Sequence, residues 1–151
     1  MYSADKIKHF YQLAELVSTQ SHCLKRKVGC ILVKSGIIVS TGYNGPARNV
    51  PHCEVCRRVD SKTGENLHRC IGVHAESNCI ANAARLGIAV EGSALFTNTL
   101  VPCKNCISEL VNAGVTRIYA IDDYYDELSK YIEDHSSINV FINTKDIMFN
   151  D

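Results

Sequence analysis

The chain has 151 residues, 46% of them hydrophobic, with 16 basic and 16 acidic side chains and a formal net charge of zero. That suffices for one domain over residues 1–151 with a real apolar core, and it leaves no electrostatic footprint for long nucleic acid, which favours a small substrate. No apolar run reaches membrane-span length and no leader precedes Met1-Tyr2-Ser3, so a cytoplasmic protein is expected, in which eight cysteines fit metal binding and core packing better than disulfides.

Residues 5–20 carry Ile7, Phe10, Tyr11, Leu13, Ala14 and Val17 at helical spacing. Residues 28–34 and 37–41 are two β-branched runs hinged at Ser35-Gly36, a hairpin signal. From residue 42 to 72 no period is sustained, and a loop of that length inside a compact domain is usually functional. Residues 74–86 read as a helix closed by Gly87, residues 94–97 as a strand, and residues 103–113 as a helix ending at Gly114. A strand over 115–121, a helix over 127–133 and a last strand over 138–142 follow, and the tail from Asn143 carries no clear signal. Helices between the later strands imply parallel crossovers. The expected fold is therefore α/β, with three α/β/α layers and a mixed five-stranded sheet.

Two short segments carry the chemistry: His74-Ala75-Glu76 and Pro102-Cys103-Lys104-Asn105-Cys106. One imidazole and two thiolates can hold Zn²⁺ and leave its fourth position to a water, while Glu76 is spared from ligation and can move protons. Cys103 and Cys106 share one face of a helix, and Pro102 suits a helix start because its missing N–H would be unpaired there. Near that start the helix dipole favours thiolate. Alone, Cys-x-x-Cys would equally suit a structural zinc knuckle or a redox pair; the His-x-Glu turns the reading to a catalytic zinc. In the long loop, Cys53-Glu54-Val55-Cys56 and His68-Arg69-Cys70 have the spacing of a closed structural zinc site. The alternative there is a set of reduced, free cysteines.

The zinc segments, together with 21–30 (Ser21-His22-Cys23 through Lys27-Val28-Gly29-Cys30), 40–46 (Ser40 to Pro46, containing Gly42-Tyr43-Asn44-Gly45), His52-Cys53, Cys70, Ser77-Asn78 and Thr99-Leu100-Val101, resemble the deoxycytidylate (dCMP) deaminases of the cytidine deaminase superfamily. The resemblance covers most of the chain. Cys30 and Cys79 depart from it, standing where that family commonly has alanine, and both suit a core as small hydrophobes; the residues after Pro46 diverge. The resemblance implies hydrolytic deamination of dCMP to dUMP, supplying dUMP for thymidylate synthesis, with Glu76 as general acid and base. It implies base contacts from Ala75 and the backbone around Thr99, and a sugar contact from Asn44, which is otherwise a turn residue. For the phosphate, Lys25, Arg26, Lys27, Arg48 and Arg117 are candidates.

Further implications are a second, structural Zn²⁺ that Cys23 can join, its ligands left open among Cys23, Cys53, Cys56, His68 and Cys70, and a homo-oligomer, expected as a hexamer. The resemblance also implies activation by dCTP and inhibition by dTTP with Mg²⁺, the effector lying at Gly42, Tyr43, Asn44 and Gly45. Two rival readings stand beside this one. Another nucleotide or tRNA deaminase would share the zinc and Glu76, but a tRNA enzyme should show a basic face. A non-catalytic zinc-stabilised binding module would need no spare carboxylate.

Overall fold

The computed structural model of the chain describes residues 2–124 and 126–142; the tail from Asn143 lies outside them. The order is α1 (Ala4–Ser18), β1 (Gly29–Lys34), β2 (Ile37–Tyr43), a single 3-10 turn (Leu67–Arg69), α2 (Ala75–Leu86), β3 (Ala94–Thr97), α3 (Lys104–Asn112), β4 (Arg117–Ala120), α4 (Glu127–His135) and β5 (Asn139–Ile142). The five strands form one sheet in the order β2-β1-β3-β4-β5. β1 pairs antiparallel with β2 and β3, whereas β3, β4 and β5 run parallel. This is the mixed sheet that the alternation of elements implied.

The hairpin closes at Ser35 and Gly36, both in the left-handed region with φ of 53° and 77°. Two successive positive φ values make the type I′ turn, whose twist matches the flanking strands. β2 runs two residues beyond its expected end, to Tyr43, because Gly29–Tyr43 and Cys30–Gly42 still pair across the ladder.

Each face of the sheet has its own core. On one, α1 sets Phe10, Tyr11 and Ala14 against Ile31, Val33, Ala94, Phe96 and Tyr119. Parallel register aligns Phe96 with Tyr119 and Tyr119 with Phe141, and the rings stack at 4.5 and 4.9 Å. On the other, Cys30, Leu32, Leu95 and Ile118 meet Ala75, Cys79 and Ala83 of α2, Ile107 and Leu110 of α3, and Ile132 of α4. The three-layer α/β/α arrangement is thus realised, with Cys30 and Cys79 fully buried in the core. Burial on two faces specifies strand register, since a one-residue slip would exchange the two apolar sets.

Close approach at Gly42 brings β2 onto the start of α2. A Cβ on Gly42 would lie 2.5 Å from both the Ala75 carbonyl oxygen and the Cys79 amide nitrogen. Helices α2 and α3 both begin beside the C-terminal ends of β3 and β4, the usual place for a ligand crevice in an open α/β sheet.

Candidate active site

His74 is the N-cap of α2 and Cys103 the N-cap of α3, each in extended backbone and neither making a side-chain capping hydrogen bond. Pro102 therefore precedes the N-cap instead of occupying the first helical position, and its carbonyl accepts a hydrogen bond from Ser129 at 2.8 Å. Cys106 stands one turn into α3. His74 Nδ1 lies 3.7 Å from Cys103 Sγ and 3.3 Å from Cys106 Sγ. The three donor atoms all fall within 4.8 Å of one another, the one such grouping among the described residues. Nitrogen and sulfur on a tetrahedral zinc with ordinary bond lengths sit about 3.6 Å apart, so the donor set fits that ion.

Interaction with the Cys106 sulfur holds the Cys103 thiol well below its ordinary range, and the same interaction pushes Cys106 up. The hydrogen bond to Cys103 raises His74. A group that binds through thiolate and neutral imidazole must displace these protons.

Glu76, in the first turn of α2, is only 6% exposed and ligates nothing in the triad. Burial raises its pKa above the ordinary carboxylate value, which suits a group that must both accept and release a proton near neutrality. Glu76 and all three triad residues but Cys106 line a cavity of about 320 Å³. Ala75, Thr99 and Asn44 line it too. Asn44 already uses both ends of its amide: Oδ1 accepts from the Val28 amide at 2.9 Å and Nδ2 donates to the Arg26 carbonyl at 2.8 Å. Each end retains capacity for one further hydrogen bond. The Thr99 carbonyl accepts from Ile121 at 2.9 Å and the Val101 amide donates to Asp122 at 3.0 Å, extending the β3–β4 pairing into this wall.

Of the five basic residues singled out in the sequence, the cavity includes Lys25 and Arg26 and leaves out Lys27, Arg48 and Arg117. Arg48 lines a separate groove between β2 and α2 with Arg85. Arg117 lies over the Tyr2 ring at 5.0 Å, at the opposite end of β4. Sequence reasoning missed Arg57, Arg58 and Arg69, all lining the cavity; the only signal was the Arg57-Arg58 pair inside the aperiodic loop. Arg58 and Lys25 direct their donors to backbone carbonyls, Arg58 to Glu65 and Lys25 to Arg58 and Ser61. The side chains of Arg57 and Arg69 have no hydrogen-bond or ion-pair partner among the described residues.

Cys23, Cys53, Cys56 and Cys70 also line this cavity, whereas His68, on the 3-10 turn, does not. These loop donors do not gather into a cluster of the kind formed by His74, Cys103 and Cys106. Of the Gly42 to Gly45 turn, Gly42 is buried by the approach to α2, Tyr43 is 41% exposed, and Gly45 has open space at its Cβ position and bridges to Val73.

A His-Cys-Cys centre at two facing helix starts, with a buried carboxylate beside it, is a donor set suited to a zinc ion. Residues 4–121 match the family described as the cytidine and deoxycytidylate deaminase zinc-binding region, and the chain belongs to that family. It is 33% identical over 135 residues to the deoxycytidylate deaminase of Saccharomyces cerevisiae, an alignment covering 87% of this chain and 43% of that protein. The deoxycytidylate deaminase of Enterobacteria phage T4 is 29% identical over 147 residues, covering 75% of this chain and 76% of that one. The chain thus spans less than half the length of the yeast relative and about three-quarters of the phage one. Among solved structures, the dCMP deaminase from the cyanophage S-TIM5 in complex with dCMP and dUMP superposes with a TM-score of 0.79 at 28% identity, covering 94% of this chain and 99% of that one. No helix among the described residues is long and apolar enough to cross a membrane.

Proposed function

We propose that the protein deaminates dCMP, converting dCMP and water into dUMP and ammonia. The observation that carries the reading is the content of one cavity. Buried Glu76 lies there beside His74 and Cys103, together with five cationic side chains, Lys25, Arg26, Arg57, Arg58 and Arg69. Against a chain of zero net charge, that concentration of positive charge favours an anionic substrate and argues for a nucleotide over a nucleoside.

His74, Cys103 and Cys106 would hold the zinc, which when bound lowers the pKa of water and makes hydroxide available near neutral pH. Glu76 takes the proton released as the water oxygen bonds to C4 and gives it to ring nitrogen N3. It then takes the hydroxyl proton and delivers it to the exocyclic amine as the C4–N bond breaks, so ammonia leaves and the carboxylate is regenerated. Its burial helps by keeping the conjugate acid accessible. Ala75 and the Thr99 segment face the base, and Asn44, fixed at both ends of its amide, can add a contact to the sugar. Arg57 and Arg69, whose side chains have no partners among the described residues, are the free cationic groups of the cavity wall and would pair with the phosphate.

Ammonia release measured on dCMP, CMP, deoxycytidine, dCTP and a tRNA substrate tests the assignment. The expected result is a large kcat/KM advantage for dCMP over deoxycytidine, because the positive charge lining the cavity has no counterpart when the phosphate is missing. Equal rates on the free nucleoside would move the protein to another branch of the family, and turnover of tRNA alone would refute the reading.

The same reading includes a second zinc in the loop, drawing on Cys23, Cys53, Cys56, His68 and Cys70, four of which line a common cavity. A metal clip offsets the ordering entropy of a long irregular loop. It also includes control by dCTP and dTTP with Mg²⁺ at the Gly42 to Gly45 turn in a hexamer. The support is a groove of about 370 Å³ that begins at Thr41, beside the turn, and whose charged lining residues are Arg48 and Arg85; Gly42 to Gly45 themselves do not line it. Both triphosphates, tested with Mg²⁺ on dCMP kinetics, decide that part: hyperbolic curves unchanged by either would leave a constitutive enzyme.

A further inference from the structure

Helix α3 starts on a residue whose side chain has another task. Four backbone N–H groups at a helix N-terminus lack intrahelical partners, and a Ser, Thr, Asn or Asp at the N-cap normally satisfies one of them. Here the N-cap is Cys103, which makes no capping hydrogen bond and has its sulfur 3.7 Å from His74 Nδ1. The missing acceptor comes from a different element. Asp126 Oδ2 accepts from the Lys104 amide, the residue directly after Cys103, at 2.9 Å. The other oxygen, Oδ1, accepts from the Leu128 and Ser129 amides at 3.1 and 3.3 Å and so caps α4. In the same turn Ser129, 3% exposed, donates from its hydroxyl to the Pro102 carbonyl at 2.8 Å. Both neighbours of Cys103 are therefore tied to the first turn of α4, Pro102 by its carbonyl and Lys104 by its amide.

We propose that Asp126, seconded by Ser129, is a positioning residue for the metal centre, one carboxylate joining two helix starts so that the Cys103 and Cys106 sulfurs meet His74. The inference rests on the reading of that triad as a zinc site. Neither Asp126 nor Ser129 lines the cavity, so both act through the peptide units flanking Cys103. Groups that orient metal ligands typically change metal affinity about 10- to 100-fold when removed.

Asp126→Asn separates this role from ordinary capping. Asparagine caps a helix as well as aspartate does, so α4 keeps its acceptor, but the amide nitrogen cannot accept from Lys104. Zinc affinity of the wild-type and variant proteins is measured by competition with a colorimetric chelator, alongside Tm and dCMP kinetics. Asp126→Asn is expected to lower zinc affinity about 10- to 100-fold, with Tm of the zinc-depleted protein close to wild type and KM for dCMP unchanged. Ser129→Ala, which removes only the Pro102 bond, should move zinc affinity the same way by a smaller factor. Ser3→Ala, which removes the α1 cap far from the site, should lower Tm and leave zinc affinity alone. Wild-type zinc affinity in both Asp126→Asn and Ser129→Ala would show that this contact serves α4 only and would overturn the inference while leaving the zinc site standing. A wild-type protein that takes up no zinc sensitive to Cys106→Ser would bring down the triad reading and this inference with it.

Discussion

Two cysteine-bearing regions of this molecule are held in different ways. Cys103 and Cys106 sit at a helix start that is tied to α4 and faces another helix start, and their sulfurs converge on His74 within 4.8 Å. Cys53, Cys56 and Cys70 sit on a segment whose one regular piece is the turn Leu67–Arg69. Polar bonds anchor that segment to residues 25 and 26: Lys25 donates to the Arg58 and Ser61 carbonyls, and Arg26 donates to Thr63 at 3.1 Å. Cα positions on a regular helix are set by core packing, so donor spacing there follows from the sheet beneath. Donors on an aperiodic loop depend on whatever ties the loop down. The first region is thus a donor set placed by the fold; the second is held by polar contacts of its own, to which the proposed loop metal would add.

The sharpest way to break the comparison is to remove one sulfur from each region. Cys106→Ser should lose the catalytic zinc and turnover together while the fold persists, because the helix start keeps its backbone bonds. Cys53→Ser should lose one zinc, make residues 46–73 more susceptible to protease, and retain most of the first zinc. Zinc analysis with limited proteolysis reads both, and equal behaviour of the two variants would erase the distinction. A single zinc per wild-type chain, with Cys53 and Cys70 freely alkylated, would remove the loop metal altogether.

A second test concerns what the loop contributes to binding. Arg57→Ala and Arg69→Ala should each lower kcat/KM for dCMP about tenfold or more, since hydrogen bonds to charged groups are worth about 1.5–3 kcal/mol. Their effect on deoxycytidine should be small. Equal losses on both substrates would mean that these arginines hold the loop and not the phosphate. The smallest effect belongs to the turn between the regions: Gly42→Ala should cost about 1–3 kcal/mol by forcing β2 from α2, with Gly45→Ala near neutral because nothing lies within 4 Å of its Cβ position. Denaturant midpoints measure both. A neutral Gly42→Ala would contradict the close approach.

The legible parts of the chain are those where a local pattern has one structural solution. Helical spacing in α1 and α2, the Ser35-Gly36 turn and the Gly87 stop specify their elements, and Gly87 does cap α2 in the left-handed region with φ of 69°. His74, Glu76, Cys103 and Cys106 were readable because their spacing and their helix starts carry chemical meaning together. The cationic lining was not. Arg57, Arg58 and Arg69 occupy a stretch without period, and which of its side chains turn toward a cavity depends on contacts made 30 or more residues away, such as Lys25 to Arg58. Conversely, Arg48 and Arg117 looked equivalent to Lys25 and Arg26 along the sequence, and the sheet places Arg117 at the opposite end of β4. Asp126 was equally hidden, since its second partner, the Lys104 amide, lies 22 residues earlier.

The central claim is that Glu76 moves the protons and holds no metal. The most direct measurement is dUMP formation by wild-type protein and Glu76→Gln, with zinc content determined on the same samples. The variant is expected to keep its zinc and its Tm and to lose about 10²- to 10⁴-fold in kcat, the range for general acid–base groups. A Glu76→Gln protein that keeps its zinc and most of its kcat would contradict the account.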